Sequence, residues 1–369
     1  MDDQSPNRAH LPAVDHIRAA AALLIVLYHA LHVLGSQLAY GDIAVATHWP
    51  ATTNPLLAVL VEGHTAVGGF MVLSGFIFVQ GTLGRNVAYG RFLANRLLRI
   101  YPLYGLLLAV GASAYHDQFS LSGLVQSVLP LANFPGAASY GVFSVMAWTV
   151  AVEFQFYLVF PLLLRLLNQR GAMALLRLVL VLAMLRTAAV LLGADAQTMA
   201  YWTIAGRMDQ FLVGMIAGAW FARRPAGGAG LGLWLIPAVI ALVALLAAYH
   251  RMGGWPAAAA WKLAWPDAEA LAWVAVILAW TGVAPHLPGL LSAALCHVGR
   301  VSFSIYLLHF LVIEVVRTHL LFLAPPDAPY RAALLLGVLL VVPLTIAVAS
   351  FTHAAVEAPF MALRRRYTD

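Results

Sequence analysis

The chain has 369 residues, of which 62% are hydrophobic and 10% charged, with a formal net charge of +6 and a mean hydropathy of +0.85. A soluble domain carries about 25% charged residues, so a water-soluble globule is excluded: there is too little polar surface to cover the core, and the solvent must be lipid. The single cysteine, Cys296, excludes an intrachain disulfide framework, and a basic balance carried by arginine with one lysine, Lys262, reflects membrane orientation rather than nucleic-acid binding.

The head "MDDQSPNRAH" is polar and acidic, and the apolar run after it is long enough to span, so it does not read as a cleavable signal. Apolar runs of spanning length follow at about 13–34, 60–82, 99–115, 147–166, 172–193, 200–222, 231–249, 268–284, 301–323 and 332–356. The segment 119–141 is broken by Pro130, Pro135 and three glycines. It reads as a re-entrant or extracytoplasmic loop with a short helix, shielded by protein wherever it reaches lipid depth. Charge tests the count of ten. With the N-terminus in the cytosol, the inner loops hold Arg85, Arg91, Arg96 and Arg99, then Arg165 and Arg170, Arg223 and Arg224, Arg300, and Arg364 to Arg366. The outer loops hold little beyond Arg251 and Lys262. That is the positive-inside pattern, and an extra span at 119–141 would invert it. The expectation is an all-α, polytopic bundle of about ten transmembrane helices with both termini cytosolic, as one domain over 1–369. "GMIAG", residues 214–218, suits close helix packing.

Ionisable groups inside spans are costly and point to function. In the first span, Asp15 and Arg18 share a face at spacing i, i+3, and His29 lies 14 residues beyond Asp15, about 21 Å along the helix. His29 shares the side of Arg18 and sits past mid-membrane: it either caps the span or does chemistry inside it. His32, nearer the exit, reads as a boundary residue. The third span opens with "RFLANRLLRIYPLY", where Arg96 and Arg99 are again i, i+3 beside Arg91. Arginine forks suit phosphate oxygens. Glu153 lies two turns into "AWTVAVEFQFYLVFP" with Trp148 and Tyr157 near it. Arg207 opens "GRMDQFLVGMIAG". Arg300 and His309 stand in "GRVSFSIYLLH", and Glu357 stands in "VEAPF". Ser74, Ser302 and Ser304 read as small packing residues.

Taken in order, "DHIRAAAALLIVLYH", "FMVLSGFIF", "RFLANRLLRIYPLY", "WTVAVEFQFYLVFP", "GRMDQFLVGMIAG", "GRVSFSIYLLH" and "VEAPF" resemble the membrane-bound acyltransferase-3 family, bacterial O-acyltransferases that modify glycans and other hydroxyl acceptors. The resemblance spans residues 11 to 366. The chain departs from the family's habit at His16, Phe154 and Leu311, which bears on local geometry rather than class. The expected form lacks a fused extracytoplasmic hydrolase-like domain.

The resemblance implies a catalytic His29 and a motif position at Glu153; because both lie in the outer half of the membrane, Glu153 is a plausible partner for His29 from another span. It implies donor binding by Arg18, Arg91, Arg96 and Arg99, and further motif positions at Asp15, Tyr157, Arg207, Arg300, His309 and Glu357. No metal is expected. The implied donor is acyl-CoA, most often acetyl-CoA, entering from the cytosol as a substrate rather than a resident cofactor. The implied acceptor is a hydroxyl of a polysaccharide or lipid-linked sugar, and the implied setting is the bacterial inner membrane. Arg207, Tyr157 or Trp148 could stabilise the oxyanion. Direct transfer and an acyl-histidine relay stay open, as does homo-oligomerisation. The rivals are a proton-coupled transporter or a polysaccharide-export subunit. A transporter often shows internal repeats, and the seven motifs all differ.

Overall fold

The computed structural model describes residues 10–43, 47–225, 227–325 and 328–368. The elements are helical throughout these residues apart from one isolated antiparallel bridge between Val87 and Thr368. In chain order they are α1 (Pro12–Tyr40), α2 (Pro55–Val61), α3 (Thr65–Thr82), α4 (Tyr89–Ala114), α5 (Leu121–Val128), α6 (Ala147–Arg170), α7 (Ala172–Leu191) and α8 (Ala196–Tyr201). They continue as α9 (Ile204–Ala222), α10 (Leu235–Arg251), α11 (Trp265–Val283), α12 (Gly289–Arg300) and α13 (Ser302–Val315). The last three are α14 (Pro329–Leu336), α15 (Val342–Thr352) and α16 (Ala358–Met361), which run on as one apolar segment, Pro329–Met361, broken by π turns at Gly337–Val341 and His353–Glu357.

Nine of the described helical segments are long and apolar enough to cross a membrane. The expected span at 200–222 is not among them, because α9 carries Arg207 and Asp209 in its first two turns. Parity nevertheless requires it. His10 and Asp15 near one end of the chain line the same cavity as Arg364 and Tyr367 near the other, so both ends meet on one face, hereafter the terminal face. An odd number of crossings would part them. α9 supplies the tenth by packing against α3 so closely that its charges never meet lipid. A Cβ at Gly218 would come within 2.6 Å of the Phe76 carbonyl oxygen, and one at Gly214 would overlap that of Val72. The small-residue stripe thus lets two backbones touch.

The bundle is therefore a polytopic, all-α membrane protein. α4 begins at Tyr89, ten residues earlier than the apolar run it carries, because "RFLANR" is helical too. The 119–141 segment holds the short α5 and no span. Its carbonyls are met by side chains from the middle of α4 and α6. Tyr101 donates to Val128 O at 2.5 Å, Tyr104 to Ser127 O at 2.8 Å, and Gln155 to Pro130 O at 2.6 Å. These bonds give part of the irregular backbone its partners within the protein.

Candidate active site

A cavity of ≈ 230 Å³ opens at the terminal face among α1, α3, α4, α6 and α13. Its outer part is basic, with Arg18, Arg96, Arg99, Arg300 and Arg364 in the wall; its inner part is bounded by Val67, Phe70, Thr149 and Tyr306. The arginines are held in different ways. Arg18 pairs with Asp15 at 3.5 Å, while Asp15 also meets His10 at 2.7 Å. Arg99 donates to Glu357 at 3.2 Å and lies 5.5 Å from the Phe303 ring. Arg96 lies over the rings of Phe78, Phe92 and Tyr157, at 5.1, 5.7 and 5.8 Å, and its Nε has no hydrogen-bond partner among the described residues. Positions i and i+3 differ by about 60° around a helix, and here that angle separates two guanidiniums of the cavity wall: Arg99 is tied to Glu357, and Arg96 is flanked by aromatic rings. Arg91, grouped with them by sequence, is exposed and lies outside the cavity wall.

Two carboxylates complete the polar lining and its rear. Glu153 accepts from Tyr157 and, at 3.2 Å, from Ser74. Glu357, fully buried on the π turn His353–Glu357, accepts from Arg99 and Ser304. Ser74 and Ser304 are therefore donors to carboxylates rather than mere packing residues. π turns concentrate at functional positions, and this one turns Glu357 toward α4.

Behind the inner wall, α1 and α13 bring two imidazoles together. His29 Nδ1 and His309 Nε2 are 2.9 Å apart, with ring centroids at 5.0 Å. The expected His29–Glu153 pairing is not formed: Glu153 lies in the cavity with Tyr157 and Ser74, and His309, on α13, takes its place. The geometry fixes the protons. His309 Nδ1 lies 3.2 Å from the Ile305 carbonyl oxygen, which can only accept, so this nitrogen carries hydrogen and His309 Nε2 offers a lone pair. His29 Nδ1 then donates to it. The remaining atom, His29 Nε2, is left with a lone pair, which is the state a general base needs. His309 is fully buried while His29 keeps some accessible surface.

A family model described as an acyltransferase domain, acyltransferase family 3, matches residues 11–352. The chain belongs to this family. It is 27% identical over 396 aligned residues to the acyltransferase MdmB of Streptomyces mycarofaciens, covering 98% of this chain and 95% of that protein. It is 23% identical over 309 residues to the putative acetyltransferase ORF330 of Acidianus two-tailed virus, covering 83% and 84%. No solved structure matches the chain.

Other charged groups of this acyltransferase lie away from the cavity. Arg207, an expected oxyanion donor, is fully buried and donates to the Tyr201 carbonyl at 2.9 Å, to Gln210 at 3.1 Å and to Glu269 at 3.5 Å. Trp148 packs on Trp202 at 4.5 Å. Neither lines the cavity. Arg186 is spent on Asp209 and Asp267. His32 is 2% exposed, gives Nδ1–H to the Tyr28 carbonyl at 2.8 Å and packs on Trp49 at 4.4 Å.

Beside it lies a cluster that sequence reasoning did not assemble. Buried Glu62 accepts from Trp49 at 3.0 Å, His64 at 3.1 Å and His250 at 2.8 Å. These residues come from three separate stretches, and the one sequence signal was an unexplained Glu-x-His beside an apolar run. One set of metal-ligand type is present among the described residues: His10, Asp15 and Cys296 at the cavity mouth, with donor atoms within 4.8 Å of one another.

Proposed function

We propose that this membrane acyltransferase moves an acyl group, acetyl in the first instance, from acyl-CoA to a hydroxyl of a polysaccharide or lipid-linked sugar. The terminal face is cytosolic and the membrane is the bacterial inner membrane. The observation that carries this reading is the basic cavity running inward from the terminal face to the wall behind which His29 and His309 are paired.

Phosphates of the donor suit the outer arginines, since guanidinium–phosphate hydrogen bonds are charge-assisted and often bidentate. Arg96 has an unmet N–H to offer; Arg18 and Arg300 add charge at the rim. The thin pantetheine arm then brings the thioester inward. His29 Nε2 takes the acceptor's hydroxyl proton as the oxygen attacks the thioester carbon. When the carbon–sulfur bond breaks, the proton passes to the departing sulfur, so the transfer is balanced without an external acid. His309 stabilises the imidazolium formed on His29 by accepting from its Nδ1–H. A positioned base contributes about 10²–10⁴-fold.

The test is purified protein in detergent with acetyl-CoA radiolabelled in the acetyl group. Wild type should consume the donor, and His29→Ala should lower the rate by about 10²–10⁴-fold at unchanged membrane level. Substrate accumulation in vesicles without donor consumption would replace the enzyme by a transporter. Tags at either end should be protected from external protease in right-side-out vesicles; cleavage there would reverse the orientation.

A further inference from the structure

Resting on the function just proposed, we infer that Tyr306 is a catalytic residue: its hydroxyl donates to the thioester carbonyl oxygen as that oxygen gains charge. Tyr306 stands on α13 in the inner wall of the cavity. It is one turn before His309, with ring centroids 5.9 Å apart, and its ring edge meets Phe70 at 6.2 Å. It therefore separates the basic cavity from the histidine pair, and it touches both. Its side chain is 9% exposed, and its hydroxyl completes no hydrogen bond of good geometry among the described residues, with only the Thr149 hydroxyl near enough to interact with it. A phenol buried in a membrane bundle ordinarily finds an acceptor. One left with only a weakly placed threonine hydroxyl at the end of a substrate cavity can turn to a better acceptor that arrives with the substrate.

The neighbouring hydroxyls cannot take this part. Thr149 Oγ1 gives its proton to the Met146 carbonyl at 2.8 Å. Tyr157 and Ser74 both donate to Glu153. Arg207 lies outside the cavity wall, held by the Tyr201 carbonyl and Gln210. Elimination and position thus converge on one group. Its chemistry is the ordinary one for acyl transfer, a preorganised donor aimed where negative charge develops. In the step itself the acceptor oxygen bonds to the carbonyl carbon, the carbon–sulfur bond breaks, and the acceptor's proton travels by His29 to sulfur. The Tyr306 proton stays on its own oxygen throughout.

The experiment uses the full-length protein in detergent with acetyl-CoA as donor and water as the hydroxyl, read as released thiol. Tyr306→Phe should lower kcat by about 10²–10³-fold, the effect of removing one such donor, with the KM for acetyl-CoA unchanged. Wild-type kcat in this variant, or a raised KM at unchanged kcat, overturns the assignment. If the variant melts at a lower temperature, 3-fluorotyrosine at position 306 keeps the ring and strengthens the donor. It should raise kcat severalfold, and an unchanged kcat overturns the role. Wild-type protein that releases no thiol would sink the proposed function itself, an outcome distinct from a tyrosine that proves dispensable.

Discussion

Arg96 and Arg207 are both arginines inside an apolar bundle, and both face aromatic rings, at 5.1 Å from Phe78 for one and 3.9 Å from Tyr201 for the other. They differ in what else surrounds them. Arg207 meets Glu269, Gln210 and a backbone carbonyl, and Glu269 is itself bonded to Gln210 at 2.6 Å. Each keeps one nitrogen without a hydrogen-bond partner among the described residues, Nη2 of Arg207 and Nε of Arg96, but of the two only Arg96 borders the cavity. Buried charge is therefore not one kind of evidence. Where its counter-charge is built in, it locks helices together. Where it is left open toward a cavity, it waits for an anion.

Substitutions can break this contrast. Arg207→Ala leaves Glu269 buried without its ion-pair partner, and losing one member of such a pair costs about 3–5 kcal/mol. A sharply lower melting temperature in detergent is expected; unchanged melting would make Arg207 no brace. Arg96→Ala should leave melting alone and raise the KM for acyl-CoA by about tenfold, the size of one charge-assisted hydrogen bond. A lower melting temperature with unchanged KM would move Arg96 into the bracing class. Arg99→Ala should do some of both, because that guanidinium lines the cavity and also holds buried Glu357. Arg91→Ala sets the floor: an exposed side chain off the cavity should shift stability by no more than about 0.5 kcal/mol and leave KM unmoved.

Much of the fold was legible because lipid demands long apolar runs, and those runs announce themselves. The tenth crossing was legible as well, although α9 is too polar to pass on hydropathy, because the arginine clusters set the parity. The pairing of His29 with His309 was not. The two are 280 positions apart, and helical periodicity tells which side of α1 a residue occupies without telling which helix lies opposite. Glu153 was placed near His29 by depth alone, and depth does not fix direction around a bundle. Arg96 and Arg99 were read as a unit for the same reason: their spacing shows neighbouring positions, not the different partners that α6 and α16 present. The Glu62 cluster was hidden because Trp49, His64 and His250 converge from three stretches whose separate residues carry no shared pattern.

The bridge between Val87 and Thr368 has a practical side. Ala88 N–H also bonds the Tyr367 carbonyl at 2.8 Å, and Asn95 clasps the backbone of Arg365. The tail is thereby stitched to the start of α4, with Arg364 and Tyr367 in the cavity rim. Any purification handle joined after that stitch starts beside the doorway of the enzyme, so an assay on such a fusion would measure the handle's shadow along with the catalyst.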